Sequence, residues 1–336
     1  MKKVVYFGNK TSGFQGTKTT LETLEPLLSE IVDIKSYSHK KNKLFRLLHM
    51  IMGFLRNVNT ADYIIIDVYS STALRYAEII GYLSRVFNKN YILVLHGGNL
   101  PKVYDKLEQR INRLFDGARH IIAPSHYLQS FFESKGFTVQ LIPNVIELEQ
   151  YPYLKRTKIR PKILALRGFK PVYNPMMTVK AIKTLKEQGI SPELRLLANS
   201  DEEHYNEVLN YIKDNKLQDC ITVLPKQKKT VWIEESKNFD IMVSNPIIDN
   251  TPISILEGMA LGMCVITTNV GGVPYLVKDE EEVLYVESDD SKGLADKISE
   301  LLTDNNMAIK LSTNARRKAE QFDWISVKTL WEKLLS

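Results

Sequence analysis

Two carboxylates that flank the start of a helical pattern are the residues of this chain best suited to hold a polar ligand. Asp249 and Glu257 stand eight positions apart. The residues between them include Asn250, Thr251, Pro252, Ile253 and Ser254. This order predicts a loop that opens onto a helix, with Asp249 in the loop and Glu257 at least one turn inside. Free N–H groups at a helix N-terminus and two acceptor carboxylates can together bind anionic and hydroxyl oxygens.

The elements that must position these residues alternate between strands and helices. In the first half of the chain, short β-branched runs predict strands at residues 4–7, 64–66, 91–95, 120–123 and 139–142. In the second half they predict strands at residues 163–166, 193–197, 222–224, 241–244, 265–268 and 284–286. Strands that alternate with helices are typical of parallel sheets with helices on both faces. We therefore expect an α/β protein with two doubly wound, Rossmann-like domains that face each other across a cleft.

The predicted domain boundaries follow a basic, Pro-containing segment at residues 152–161. They give a first domain at 1–155, a second at 156–315, and a C-terminal helix at 316–336 that packs back toward the first domain. Ligands of open α/β sheets bind outside the carboxyl ends of the strands. We therefore expect the ligand-binding site to lie in this cleft.

Composition narrows the protein class. The chain has 336 residues, of which 44% are hydrophobic. The first 150 residues carry 19 basic and 13 acidic side chains, so this half holds the whole basic surplus of six. Cys220 and Cys264 form no CxxC pair, which argues against a zinc site or a disulfide framework. Apolar runs are too short for a signal peptide or a membrane span. We expect a cytoplasmic protein.

Residues 35–60 form a basic amphipathic pattern with six basic residues and no acidic one. Apolar residues recur there at helical spacing. Such a helix can lie on an anionic membrane surface, which would place the protein at the inner face of the cytoplasmic membrane. It can also pack on its own domain with a solvated basic rim.

Two further features lie where predicted strands end. His96 follows the strand at 91–95 and precedes two glycines, at the edge where parallel sheets bind ligands. Gly13 and Gly16 lie in a Thr- and Ser-rich loop after the first strand, although their spacing is not GxGxxG. Both features suit a ligand, and both also suit ordinary tight turns.

Residues 249–272 resemble the donor-binding motif of family-4 retaining glycosyltransferases of the GT-B fold, of the type that builds bacterial surface polysaccharides. That motif has an acid, seven residues, a second acid, a small-residue helix, a strand and a Gly-Gly loop. The matching positions are Asp249, Glu257, 258–262, 265–267 and 271–272. The resemblance covers nearly the whole chain and is most specific over residues 160–290.

The resemblance implies transfer of a sugar from a nucleotide-sugar, namely a UDP-sugar, to a glycan or lipid-linked acceptor, without a metal ion or cofactor. Arg167 follows the first strand of the second half, where the family has an arginine that stabilises the leaving diphosphate. By the same resemblance, Asp249 would bind hydroxyls of the donor sugar and Glu257 the ribose diol. His96 would shape the reacting end of the cleft.

The remaining donor contacts also come from the resemblance. Residues 250–254 and the loop with Gly13 and Gly16 would lie against the donor. The family's second basic residue is missing, since Tyr173 stands near its place. Lys170 or Lys226 could substitute for it.

Other functions remain open at this point. A sugar-nucleotide epimerase of the same fold class would need acid and base groups at the sugar ring, which the spacing of Asp249 and Glu257 suits less well. A degenerate transferase that binds a partner is compatible with the missing lysine. Nucleic-acid binding is the weakest alternative, because aromatic residues are not interleaved with the basic ones.

Overall fold

The structure is a computed structural model that describes residues 1–11 and 18–336. It divides into two compact units. Unit 1 comprises Met1–Val145 and Trp324–Ser336, and unit 2 comprises Ile146–Asp323. The boundary predicted at residue 155 therefore lies inside unit 2, and the predicted segment 316–336 is divided between the units.

Unit 1 is built on a parallel six-stranded sheet with the strand order β2-β1-β3-β4-β5-β6. The strands are β1 (Lys3–Phe7), β2 (Asp33–Tyr37), β3 (Tyr63–Tyr69), β4 (Tyr91–His96), β5 (His120–Ala123) and β6 (Val139–Leu141). The helices described in unit 1 are α1 (Thr20–Leu28), α2 (Lys43–Asn57), α3 (Leu74–Val86), α4 (Leu100–Phe115), α5 (His126–Glu133) and α13 (Trp324–Leu335).

The sheet of unit 1 is buried on both faces, which explains its continuous apolar strands. Val5, Ile64 and Ile66 pack with α2 to α5 on one face. Val4 and Ile65 pack on the other face with α1 and α13. The C-terminal helix α13 is thus part of the core of unit 1.

Unit 2 has a second parallel six-stranded sheet with the order β12-β11-β10-β7-β8-β9. The strands are β7 (Lys162–Ala165), β8 (Glu193–Leu197), β9 (Ile221–Leu224), β10 (Ile241–Ser244), β11 (Cys264–Thr268) and β12 (Leu284–Val286). The helices are α6 (Pro175–Glu187), α7 (Tyr205–Asp214), α8 (Lys229–Ser236), α9 (Ile253–Ala260), α10 (Val273–Leu276), α11 (Ser291–Thr303) and α12 (Asn305–Glu320). The prediction of two doubly wound parallel sheets is confirmed.

The order of the strands creates a switch point in each sheet. In unit 2 the chain runs from β7 outward to β9, then returns to start again at β10 on the other side of β7. In unit 1 the corresponding change of direction lies between β1 and β3. Loops that leave neighbouring strands in opposite directions open a crevice at such a point, where open α/β sheets bind ligands.

Within the basic amphipathic pattern, Lys43–Asn57 form α2, while Lys35 belongs to β2. The side chains of α2 divide into a buried and an exposed apolar face. Met50 and Phe54 pack in the core. A second stripe remains exposed on the opposite face: Leu44, Phe45, Leu48, Met52 and Leu55. Within the described residues, no helix has the length and hydropathy needed to span a bilayer.

Candidate functional site

The switch point of unit 2 brings together two of the residues singled out from the sequence. Arg167 follows β7 and Asp249 follows β10, the two adjacent strands from which the chain departs in opposite directions. Nη2 of Arg167 lies 2.7 Å from Oδ2 of Asp249. The guanidinium and the carboxylate therefore form an ion pair at the edge where ligands of this sheet type bind.

An aromatic ring completes the environment of this cation. Cζ of Arg167 lies 4.0 Å from the centre of the Tyr173 ring, a cation–π distance. Nε of Arg167 is buried and has no hydrogen-bond partner among the described residues. The side chain is only 23% exposed, so its position is set by Asp249 and Tyr173 rather than by solvent.

Two glycines hold the Asp249 loop against the segment after β11. Gly272 N–H donates to the carbonyl oxygen of Asp249 over 2.8 Å. A Cβ atom on Gly272 would lie 1.8 Å from the carbonyl oxygen of Asn250, and one on Gly271 would lie 2.2 Å from that of Asp249. Only glycine allows this close approach, which explains the Gly-Gly pair physically.

Helix α9 begins directly after this loop, with Pro252 as its N-cap residue and no side-chain cap. The hydroxyl of Thr251 is buried without a hydrogen-bond partner among the described residues. Ser254 is buried with its Oγ 3.5 Å from that of Ser244, and Ile253 is half-buried. The first N–H groups of α9 therefore have no side-chain cap. Asp249 precedes them in the loop, where its Oδ1 accepts from the Asn250 N–H over 2.7 Å.

Glu257 lies on α9, where a tyrosine fixes its carboxylate. The Tyr151 hydroxyl donates to Oε1 over 2.7 Å, and Lys229 Nζ lies 4.4 Å from the centre of the Tyr151 ring. Burial raises the pKa of Glu257, although the Tyr151 hydrogen bond and the charges of Lys229 and Arg167 act in the opposite direction. Oε2 is not engaged by Tyr151 and can accept from a ligand.

The two lysines considered as phosphate ligands have different surroundings. Lys170 is exposed at the start of a short 3-10 turn after β7. Lys226 forms an ion pair with Glu202, whose other carboxylate oxygen accepts from the Phe169 N–H. Gly168 leaves room for that carboxylate, since a Cβ atom there would lie 2.2 Å from it. The carboxylate competes for Lys226, so Lys170 has the more available charge.

His96 lies in unit 1, at the carboxyl end of β4, as predicted. It is 6% exposed, and its Nε2 lies 2.8 Å from Oδ1 of Asp67. Its ring stacks on that of Tyr69 with centroids 4.8 Å apart. Gly13 and Gly16, which were also singled out from the sequence, lie outside the described residues.

Two contributors to these sites were not found from the sequence. Asp67 interrupts the apolar run of β3, and a buried carboxylate needs partners, so its position was a usable signal. Tyr151 carried no such signal, because a tyrosine just before a predicted domain boundary is not unusual. Its contact with Glu257 spans 106 positions and depends on the fold.

The side chains at the switch point of unit 2 are cationic and hydrogen-bonding. Across residues 1–11 and 18–336, the structure places no group of three or more His, Cys, Asp or Glu side chains where they could hold a metal ion. The switch point of unit 2 offers a guanidinium, helix N–H groups and two carboxylates. This set can bind a diphosphate and vicinal hydroxyls.

The comparison with protein families agrees with this arrangement. Residues 153–318 match the family described as Glycosyl transferases group 1. The chain is 25% identical over 196 residues to the UDP-Gal:alpha-D-GlcNAc-diphosphoundecaprenol alpha-1,3-galactosyltransferase of Escherichia coli. It is 24% identical over 252 residues to the D-inositol 3-phosphate glycosyltransferase of Paenarthrobacter aurescens. These matches cover 54% and 69% of the chain, but only 49% and 60% of the relatives.

Solved structures show the same fold over almost the whole chain. The sucrose-phosphate synthase of Thermosynechococcus elongatus superposes with a TM-score of 0.81 at 15% identity, over 99% of this chain and 98% of that one. Anabaena HepE in complex with UDP and glucose gives a TM-score of 0.77 at 16% identity, over 99% of both chains. The fold is therefore GT-B. Residues 153–318, which lie within unit 2, belong to the group 1 glycosyl transferases, the family that the donor motif of this segment resembles.

Proposed function

We propose that the chain is a retaining glycosyltransferase that moves a sugar from a UDP-sugar to a glycan or lipid-linked acceptor in polysaccharide biosynthesis. Unit 2 would bind the nucleotide-sugar and unit 1 the acceptor. The Escherichia coli relative is named for a UDP-galactose donor and a diphosphoundecaprenol-linked acceptor, which supports both substrate classes. The transferase names of the reported relatives favour transfer over epimerisation.

The observation that carries this proposal is the ion pair of Arg167 and Asp249 across the switch point of unit 2. Bond cleavage to a diphosphate develops negative charge on the leaving group, which a guanidinium can stabilise with two parallel hydrogen bonds. Asp249, beside it, would accept from hydroxyls of the donor sugar. Glu257 would accept from the ribose diol.

The other proposed donor contacts surround these three residues. The start of α9 at residues 250–254 would give N–H and hydroxyl groups to the donor. Lys170 would supply a second positive charge, and Lys226 would do so if the donor displaced Glu202. We expect the reaction to need no metal ion, as the resemblance implies, with Arg167, Lys170 and the N–H groups of α9 to stabilise the diphosphate. His96 would bind a substrate hydroxyl.

A thermal-shift panel of nucleotide-sugars tests the donor site. A ligand that binds only the native state stabilises it by about 2.7 kcal/mol at 100 times its dissociation constant. We expect a UDP-sugar to raise the melting temperature of the wild-type protein, and Glu257→Ala to lose that shift, because the ribose diol loses its acceptor.

Glu187→Ala is the matched control. Glu187 is an exposed acid of unit 2 at the end of α6 and pairs with Lys183 at 3.7 Å. It should keep the shift. An unchanged shift in Glu257→Ala would exclude the contact of Glu257 with the ribose diol. If no nucleotide-sugar raised the melting temperature, a protein that binds a partner and no sugar donor would be favoured.

We also propose that α2 binds an anionic membrane surface, so that the protein is cytoplasmic and peripheral on the inner face of the membrane. The exposed stripe includes Leu44 and Phe45, which are 64% and 62% exposed. Residues 35–60 supply six basic side chains and no acid, which complements anionic lipid. Attachment to the membrane would bring the protein close to a lipid-linked acceptor.

Vesicle sedimentation tests the membrane surface. We expect wild-type protein to sediment with anionic vesicles more than with neutral ones, and Leu48→Glu to reduce binding about tenfold, because burial of one leucine contributes roughly 1.5–3 kcal/mol. Ile325→Glu is the control, since Ile325 is 78% exposed on α13, which packs on the opposite face of the sheet from α2. Equal and negligible binding of the wild type to both vesicle types would contradict the proposal.

A further inference from the structure

A fully buried carboxylate lies next to His96 at the switch point of unit 1. Asp67 is on β3, and its side chain has no exposed surface. Oδ1 lies 2.8 Å from both the Tyr6 hydroxyl and Nε2 of His96. The Tyr69 hydroxyl donates to Oδ2 over 3.2 Å. Three polar groups therefore converge on one buried acid.

The hydrogen-bond pattern assigns a proton to one nitrogen of His96. An ionised carboxylate can only accept hydrogen bonds. The hydroxyls of Tyr6 and Tyr69 keep their protons, since burial and the charge of Asp67 raise the pKa of both groups well above the usual value. Both hydroxyls therefore donate to Asp67, and so must Nε2 of His96. In a neutral imidazole this leaves Nδ1 as an acceptor.

The surroundings hold this arrangement in place. A Cβ atom on Gly8 would lie 2.2 Å from Oδ2 of Asp67, so the glycine after β1 makes room for the carboxylate. Tyr69 and His96 are paired in the register of β3 and β4, and their rings stack at an angle of 25°. The imidazole thus has a fixed plane as well as a fixed hydrogen bond.

Nδ1 of His96 has no such partner among the described residues. No hydrogen bond joins this atom to residues 1–11 or 18–336. The imidazole lies at the carboxyl end of β4, where open α/β sheets bind ligands, so Nδ1 is the ring nitrogen left for a ligand.

We propose that Asp67 is a positioning residue that fixes His96 with its proton on Nε2, so that Nδ1 accepts a hydrogen bond from a hydroxyl group of the sugar substrate. This proposal rests on the proposed function, since it gives His96 a defined role in sugar transfer. Nδ1 of His96 contacts the substrate, and Asp67 orients the imidazole. Asp67 acts only through His96.

The ring nitrogens of the wild-type protein give the first test. Two-bond 15N–1H correlations at neutral pH distinguish a protonated from an unprotonated ring nitrogen, and His96→Gln assigns the signals. We expect the proton on Nε2. A proton on Nδ1, or on both nitrogens, would overturn the proposal. This measurement needs no substrate and no variant of Asp67, so it is decisive even if the proposed function fails or Asp67 variants do not fold.

Kinetics of variants give the second test. In Asp67→Asn the amide can donate to Nε2 and so shift the imidazole proton to Nδ1. We expect kcat to fall at least roughly 10- to 100-fold, the usual cost of removing a hydrogen-bond partner that orients a histidine. KM for the UDP-sugar and the UDP-induced thermal shift should stay unchanged. Tyr6→Phe removes one donor from the same carboxylate without touching His96, and should keep both the tautomer and most of kcat.

A double-mutant cycle separates positioning from a general structural role. If Asp67 acts through His96, Asp67→Asn should have no further effect on kcat in a His96→Ala background. An equal loss in both backgrounds, or an unchanged kcat in Asp67→Asn alone, would refute the assignment. Failure of donor binding to unit 2 would instead appear as loss of the Glu257-dependent shift, with the tautomer of His96 unaffected.

Discussion

Arg167→Ala should lower kcat for sugar transfer by about 100- to 1,000-fold, the usual effect of removing one group that stabilises a developing negative charge. The reason is the place of the guanidinium at the switch point of unit 2, with one face against Tyr173 and Nη2 paired with Asp249. Initial rates with a saturating UDP-sugar would measure the loss. Arg167→Lys should recover only part of it, because lysine cannot form two parallel hydrogen bonds to a phosphate.

Arg195 provides a closely matched control. Its side chain is also 23% exposed, pairs with Glu235 at 2.9 Å and lies 5.0 Å from an aromatic ring, that of Phe239. Its Nε is likewise buried without a partner among the described residues. It differs in position, because it lies within β8 rather than after the end of a strand.

Arg195→Ala should therefore reduce stability by about as much as Arg167→Ala and keep kcat. Thermal unfolding of both variants would show whether their stability losses are comparable. If both variants lost turnover equally, the effect would come from folding, and the assignment of Arg167 to the leaving group would fail.

Gly272→Ala should weaken UDP-sugar binding by roughly 100-fold, the effect of displacing a binding group by about 1 Å. The backbone of Gly272 has an ordinary φ of −87°. The penalty comes instead from the new Cβ, which would lie 1.8 Å from the carbonyl oxygen of Asn250. The loop that carries Asp249 must move to relieve this overlap. Calorimetric titration with the UDP-sugar would measure the change in affinity.

Gly189→Ala separates this overlap from a general glycine effect. Gly189 has a φ of +82° and no atom within 4 Å of an added Cβ. Its replacement should cost about 1–2 kcal/mol of unfolding free energy through backbone strain alone. UDP-sugar affinity should stay at the wild-type level. Wild-type affinity in Gly272→Ala would show that the Gly-Gly contact does not shape the donor site.

The fold was largely predictable because its strands are buried on both faces. Every predicted strand appears in the structure within a few residues of its expected bounds. One strand of the structure, β2, was not predicted from the sequence. Its residues Asp33–Tyr37 alternate in character and are at least partly exposed at the edge of the sheet, so they lack a continuous apolar run.

Helix ends were less predictable than strands. The C-terminal segment was predicted as one helix over residues 316–336. The structure instead has α12, which begins at Asn305 and ends at Glu320, and α13, which begins at Trp324. The residues Asn305–Glu320 have low mean hydropathy, so the apolar pattern that would predict the start of α12 is weak.

The composition of the site could be predicted, but not its contacts. The types and local spacing of Asp249, Glu257 and Arg167 are sequence properties. The ion pair between Arg167 and Asp249 joins residues 82 positions apart and exists because β7 and β10 are neighbours. The network around Asp67 likewise depends on the pairing of β1, β3 and β4. Strand order is a global property that a local pattern does not contain.

The place of α13 has a consequence for the order in which the protein folds during synthesis. Trp324 and Trp331 fill the core of unit 1, next to Val4 and Leu24, so that core cannot be completed until the end of the described chain has left the ribosome. Unit 2 is one continuous segment that ends at Asp323. Domains usually complete folding from the N-terminus onward. Here we expect unit 2 to complete its folding before unit 1. Until α13 is available, unit 1 keeps part of its apolar surface exposed.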